Sequence, residues 1–209
     1  MDDRIRLLID RFRERNISAI YCEDKIAALA KLLEIIPENS SVGMSGSVTL
    51  KELGLINALQ VRGNTVFNQN KDGLLKEQSL EIRQKGLGAD YYLASPNAVS
   101  LSGELIFFSA WGNRIAGVAN AKNLIIVFGI NKICPDLAQA LKRAREYATP
   151  LNCERLKWSS YCHNNDFLCR QDLCLFPKYK RMCCQTLVIE AEAVMGRLQA
   201  VIVGENLGF

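Results

Sequence analysis

Residues 162–184 read CHNNDFLCRQDLCLFPKYKRMCC. Five of the chain's eight cysteines lie there, and its single histidine, His163, follows the first of them. Thiolates are soft ligands that select zinc or iron–sulfur clusters over magnesium or calcium. Cys162, Cys169, Cys174 and Cys183 would supply enough thiolates for one zinc ion or a [4Fe–4S] cluster, with Cys184 or His163 able to replace one of them. Arg170, Lys178, Lys180 and Arg181 would offset the negative charge. The gaps are C-x6-C, C-x4-C and C-x8-C, so the short C-x2-C hook of many metal sites is absent. Two other chemistries fit the same residues. The thiols can sit in a loop without metal, with Cys183 or Cys184 packing as a small hydrophobe at the head of an apolar strand, or they can pair as disulfides. Cys22, Cys134 and Cys153 are scattered and read as structural.

A second group of residues suits an anion. In Gly43-Met44-Ser45-Gly46-Ser47-Val48-Thr49, glycines allow close backbone approach and hydroxyls donate hydrogen bonds. Gly112-Asn113-Arg114 places a guanidinium, able to grip a carboxylate or phosphate with two N–H groups, just beyond an apolar run. Asn131-Lys132 follows the most apolar segment of the chain, and Asn97 precedes a hairpin. The candidate ligand-binding set is therefore Gly43, Ser45, Gly46, Ser47, Thr49, Asn97, Gly112, Asn113, Arg114, Asn131 and Lys132. The alternative at each place is plain structure: a helix cap at Ser47 or Thr49, and solvated or surface-paired cations at Arg114 and Lys132. Familiar motifs are missing. There is no GxxxxGK[ST] loop, no GxGxxG fingerprint and no G-x-S-x-G elbow, and one histidine inside the cysteine segment leaves little room for a Ser-His-Asp triad. Glu104 and Asp136 are the only nearby carboxylates that could act as acid or base.

These residues need elements to position them. Ile5, Leu8, Ile9 and Phe12 share one face of a helix over 2–15. Strands are expected at 17–21, 42–44, 66–67 and 91–94, and a helix that Pro37 ends runs from about residue 26. A polar helix over 73–86 closes at Gly86 and Gly88. Ala98–Leu101 and Glu104–Phe108 flank Ser102-Gly103 as a two-residue hairpin. Leu124–Phe128 is uniformly apolar, which suits a central parallel strand covered on both faces, and Pro135-Asp136 opens a further helix. TLVIEAEA and RLQAVIVG read as a closing antiparallel pair. Alternating strands and helices give an α/β fold with an open, mostly parallel Rossmann-like sheet, in a single domain over 1–209 with a cysteine-rich insert at about 153–184. Ligands in such sheets gather beyond the carboxyl ends of strands, which is where the polar turns fall.

Composition sets outer limits. Hydrophobic residues make up 49% of the chain, enough for a full core. No apolar stretch is long enough to span a membrane, and the charged start MDDRIRLLIDRFRERN is unlike a secretory signal. A cytoplasmic, reducing location is expected. The net charge is +4, and residues 142–184 hold nine Lys or Arg against four Asp or Glu, so that region carries the whole excess. It suits an anionic partner, or a solvated helix face and polar loop. No nucleic-acid-binding pattern is present.

Together, GMSGSVTLKELGL, ADYYLASPNAVSLSGELIFFSAWGNRIAG, LIIVFGINKI with LAQALKRAREYATPLNCERL, the cysteine-rich insert and VIVGENLGF resemble the LUD domain family of lactate utilisation proteins. The resemblance implies a fold akin to the ribose-phosphate isomerase and CoA-transferase (NagB/RpiA/CoA transferase-like) group. It implies a part in oxidising L-lactate to pyruvate, or in a related small-acid pathway, alongside an iron–sulfur protein partner, with a small anionic metabolite or cofactor in the pocket. Assembly into an oligomer is compatible with it, and a non-catalytic binding or assembly subunit of a redox complex is the alternative. Members tend to carry an acidic residue and a glycine before the GNR run, where this chain has Ser109 and Ala110.

Overall fold

The computed structural model describes residues 2–71 and 73–209. In chain order, α1 (Asp3–Glu14) leads to β1 (Ser18–Cys22), α2 (Lys25–Ile35), β2 (Ser41–Met44), α3 (Val48–Glu52), α4 (Leu55–Val61) and β3 (Thr65–Phe67). Then come α5 (Lys76–Leu87), β4 (Tyr91–Ala94), β5 (Ala98–Ser100), β6 (Leu105–Ser109), α6 (Asn113–Asn120) and β7 (Asn123–Gly129). A 3-10 turn at Ile130–Lys132 precedes β8 (Ile133–Cys134), α7 (Leu137–Arg143), a π turn at Ala144–Ala148 and α8 (Thr149–Arg155). α9 (Tyr161–Asn164), β9 (Gln185–Ile189) and β10 (Leu198–Val203) complete the chain.

The main sheet has the order β1-β10-β7-β4-β2-β3, and every pairing in it is parallel. Strand periodicity explains how it is covered, because successive side chains point to opposite faces. Leu124, Ile126 and Phe128 of β7 enter one core with Leu198, Ala200 and Ile202 of β10 and with Leu8 and Phe12 of α1. Ile125 and Val127 enter a second core on the other face, with Val201, Val203, Leu32 of α2, Leu50 of α3 and Leu55 and Leu59 of α4. A strand buried on both faces has no room for polar alternation, hence the unbroken LIIVF run.

The smaller sheet, β8-β5-β6-β9, lies over the first core. Leu105 and Phe107 of β6 reach that core, whereas Ile106 and Phe108 face Ala140 and Ala144 of the α7 region and Cys134 and Cys183. The expected hairpin is β5–β6, with Val99 opposite Leu105. Its tip is wider than two residues, because Ser100 Oγ accepts the Ser102 and Glu104 backbone N–H groups and Gly103 takes a φ of 101°. The expected closing antiparallel pair does not form. β9 pairs with β6, and β10 inserts parallel between β1 and β7. β9 has an exposed start and only Ile189 fully buried, as an edge strand does; β10 is buried along almost its whole length, as a central one must be.

The LAQALKRAREYATPLNCER run stays helical across Pro150, a residue that cannot donate to the Glu146 carbonyl four residues back. The π turn before it widens the coil at that point, and the Thr149 hydroxyl bonds the Ala144 carbonyl at 2.8 Å. This places α8 at the carboxyl ends of the main-sheet strands. Residues 156–184 contain the single short helix α9 and otherwise no regular element.

Candidate functional site

The carboxyl ends of β2, β4, β6 and β7 converge on a cleft with two adjoining chambers. The outer has a cavity volume of about 150 Å³ and the inner about 30 Å³, both open toward solvent. They share Gly46, Asn97, Arg114, Asn152 and Arg155. The inner chamber adds Ser47, Thr49, Ser95 and Lys132; the outer adds Ser45, Arg83, Ser109 and Asn113.

Lys132 is 3% exposed. Its ammonium donates to Ser95 Oγ at 2.9 Å, Thr49 Oγ1 at 3.0 Å and the Pro96 carbonyl at 3.3 Å. Burial, then the neighbouring charges of Arg143 and Arg114, lower its pKa to about 7 against the opposing pull of Glu52. Thr49 is free to take part because Ser47 caps α3, its hydroxyl accepting from the Leu50 N–H. The Thr49 hydroxyl donates in turn to the Leu207 carbonyl at 3.2 Å.

Arg114 is held by neutral groups alone. It donates to the Gly46 carbonyl at 2.8 Å, Asn97 Oδ1 at 3.2 Å and the Phe108 carbonyl at 3.4 Å. Asn97 Oδ1 also accepts the Phe108 N–H at 2.8 Å, so one amide sets both the strand end and the guanidinium. Arg143 bonds the Asn97 and Asn131 carbonyls and ties the two loops together behind the cleft. Burial lowers the pKa of Arg114 and of Arg143. Ser45 is 1% exposed and its hydroxyl has no hydrogen-bond partner, although it faces the outer chamber. Tyr92 lies behind Asn113, its hydroxyl donating to the Asn113 carbonyl at 3.4 Å and its pKa pushed up to about 12 by burial. At the rim, Trp111 and Trp158 meet edge to face with ring centroids 5.6 Å apart.

Eight of the expected residues thus meet: Ser45, Gly46, Ser47, Thr49, Asn97, Asn113, Arg114 and Lys132 line the cleft. Gly43, Gly112 and Asn131 do not. A Cβ on Gly43 would lie 1.9 Å from the Gly86 carbonyl oxygen, so that glycine lets β2 and α5 cross. Gly112 adopts a φ of 80° at the start of α6. Asn131 holds the tail, donating to the Gly208 carbonyl at 3.0 Å and accepting the Leu207 N–H at 3.1 Å. Glu104 is engaged by Arg15 and Ser100, and Asp136 caps α7, so neither carboxylate reaches the cleft. Ser95, Arg83, Asn152 and Arg155 were not among the expected residues. Arg83 and Arg155 lie on polar helical segments that read as solvated, and Ser95-Pro96 reads as a turn. Their one available signal was position, since Ser95 directly follows an apolar strand.

Cys162, Cys169, Cys174 and Cys183 line one small cavity with Arg145, Arg170 and Arg181. Among the described residues, however, no group of three or more Cys, His, Asp or Glu side chains is placed as a donor set for a metal ion. Cys162 is committed elsewhere. Hydrogen bonds from Cys153, the Ser160 hydroxyl and nearby backbone N–H groups lower its pKa, whereas the same pairing and burial push the Cys153 thiol up. Cys184 is exposed and donates to the Arg181 carbonyl at 2.9 Å.

Residues 5–203 match the LUD domain. The chain belongs to the LUD domain family. Among solved structures, this LUD domain protein resembles a DUF162 family protein from Deinococcus radiodurans, with 12% identity over 97% of each chain and a TM-score of 0.54. At that identity the likeness concerns the fold. Ribose 5-phosphate isomerase A from Methanocaldococcus jannaschii aligns with 55% of this chain and 56% of its own, at 15% identity and a TM-score of 0.37. The Plasmodium falciparum ribose 5-phosphate isomerase aligns with 53% of this chain and 52% of its own, at 19% identity and a TM-score of 0.34. No curated protein matches the LUD domain chain.

Proposed function

We propose that this LUD domain protein binds a small anionic metabolite or cofactor in the two-chambered cleft. On this reading it serves the oxidation of L-lactate to pyruvate, or a related small-acid pathway, with an iron–sulfur protein as redox partner. One observation carries the reading. Among the described residues, Arg83, Arg114, Lys132 and Arg155 line the cleft, no Asp or Glu lines it, and none of the four cations forms a salt bridge. Cations held together without counter-charge raise the local concentration of an anion and bind it through charge-assisted hydrogen bonds. The unpartnered Ser45 hydroxyl offers one more donor at the same wall.

The test is calorimetric titration with L-lactate, pyruvate and larger organic anions. Removing one charged hydrogen bond costs roughly 1.5–3 kcal/mol, so Arg114→Ala and Lys132→Ala should each weaken a small acid by about ten- to a hundredfold while thermal unfolding stays cooperative. Unchanged affinity in both variants rejects the site. A second reading, a non-catalytic subunit of a redox complex, is favoured by the lack of a carboxylate base in the cleft among the described residues and by the exposed Leu168, Leu175 and Phe176 of the thiol segment. It predicts no small-acid binding, but a defined complex with a purified iron–sulfur protein that is lost when those three residues become serine.

A further inference from the structure

Lys132 is a primary amine inside a chamber that also holds two guanidiniums, Arg114 and Arg155, and two hydroxyls, Thr49 and Ser95. A lysine used only to attract anions gains nothing from burial, which weakens its charge. A lysine used as a nucleophile gains its lone pair that way. The contacts around Nζ suit the second role. Thr49 spends its hydroxyl proton on the Leu207 carbonyl, while Ser95 donates to Thr49 Oγ1 at 3.2 Å and has no carbonyl acceptor, so its O–H can turn from Thr49 toward Nζ at 2.9 Å once the nitrogen is neutral. The charges facing Nζ are Arg143 from α7, Arg114 from α6 and Glu52 from α3, with the two cations outweighing the one acid.

Resting on the anion-site reading above, we propose that Lys132 forms a reversible imine with a small 2-oxo acid whose carboxylate is gripped by Arg114 and Arg155. The Lys132 lone pair attacks the ketone carbon, and the carbonyl electron pair moves onto its oxygen. A proton leaves nitrogen and reaches that oxygen through the Ser95 hydroxyl. A second proton, taken from solvent, lets the oxygen depart as water while nitrogen forms the C=N bond. One 2-oxo acid, one neutral amine and one proton give one protonated imine and one water, and the reaction needs no oxidant or reductant. The low amine pKa means that a large fraction of Lys132 is neutral near pH 7.

The test is reductive trapping. The wild-type protein, Lys132→Met, Lys132→Arg and Arg114→Ala are each incubated with pyruvate and cyanoborohydride, then analysed by intact mass and peptide mapping. Thermal unfolding checks that each variant is folded. Lys132→Arg keeps the charge and bonding reach but cannot form the imine, so it serves if Lys132→Met does not fold. The expected result is one reduced pyruvate on the peptide containing Lys132, lost in both Lys132 variants and reduced in Arg114→Ala. No adduct, or an adduct spread over surface lysines and retained in the Lys132 variants, overturns the proposal. Parallel titration with L-lactate, which has no carbonyl to attack, separates the two ideas. Binding of both acids without trapping rejects the imine and keeps the anion site, and binding of neither rejects both.

Discussion

At the scale of the residue, the cleft is a matter of which polar groups are left without opposite charge. Lys132 has three oxygen partners, none of them a carboxylate, so desolvation of its charge goes largely uncompensated. This sets a pH dependence of stability. The folded pKa is about 7 against an ordinary 10.5, so between those values the unfolded chain binds the extra proton. Stability contributed through this group therefore rises as pH rises from 7 to 10.5; the penalty is complete below 7 and gone above 10.5. Urea unfolding of wild type and Lys132→Met across that range should show a slope in the difference, amounting to a few kcal/mol in total. A flat difference would mean that the amine stays hydrated. The sequence pointed to Lys132 and Arg114 because each lies a few residues past a segment too apolar to be anything but a strand. It did not single out Ser95, since a serine before proline looks like any other turn. Thr49 was ambiguous because Thr49 and Glu52 have the spacing of a capping box, and only the structure shows Ser47 taking the cap.

At the scale of the element, glycines and caps decide how closely the pieces approach. β2 and α5 cross where Gly43 meets the Gly86 carbonyl, leaving no space for a methyl group. Gly43→Ala should force them apart and lower stability by about 1–3 kcal/mol, read as a lower melting temperature. Gly117 plays the corresponding part in α6, where a Cβ would lie 2.0 Å from Tyr92 Cζ. Gly117→Ala should therefore displace the Tyr92 ring, and a changed Tyr92 signal in the aromatic NMR spectrum would report it. The helices and most strands were legible from apolar spacing. The pairing of β9 with β6 was not, because two neighbouring apolar runs near each other in the chain satisfy an antiparallel pair as well as separate sheets do. Burial on both faces of β10 was the distinguishing sign, and RLQAVIVG carries it less openly than LIIVF. Nor does spacing show where loop thiols point. Cys162, Cys169, Cys174 and Cys183 do share a cavity, but without the convergence a metal needs.

At the scale of the whole molecule, the two sheets share one apolar layer, and Phe128 is at its centre. The ring is fully buried in the first core and meets Phe12 edge to face at 6.4 Å. Phe128→Ala should cost about 3–5 kcal/mol in urea unfolding. Because β7 also carries Lys132 just past its end, the same change should loosen small-acid binding. Loss of stability with unaltered affinity would show that the cleft is held by its loops alone. No helix among the described residues is long and apolar enough to cross a membrane.

β10 has a further consequence. It is the tenth strand to leave the ribosome, yet β1 touches the rest of the main sheet only through it. Phe12 can pack on Phe128 once β7 has been made, but the first strand must wait for a hydrogen-bonded neighbour until β10 has been translated. A nascent chain stalled before residue 198 should leave that first strand open to protease, and extension through residue 203 should close it in one step.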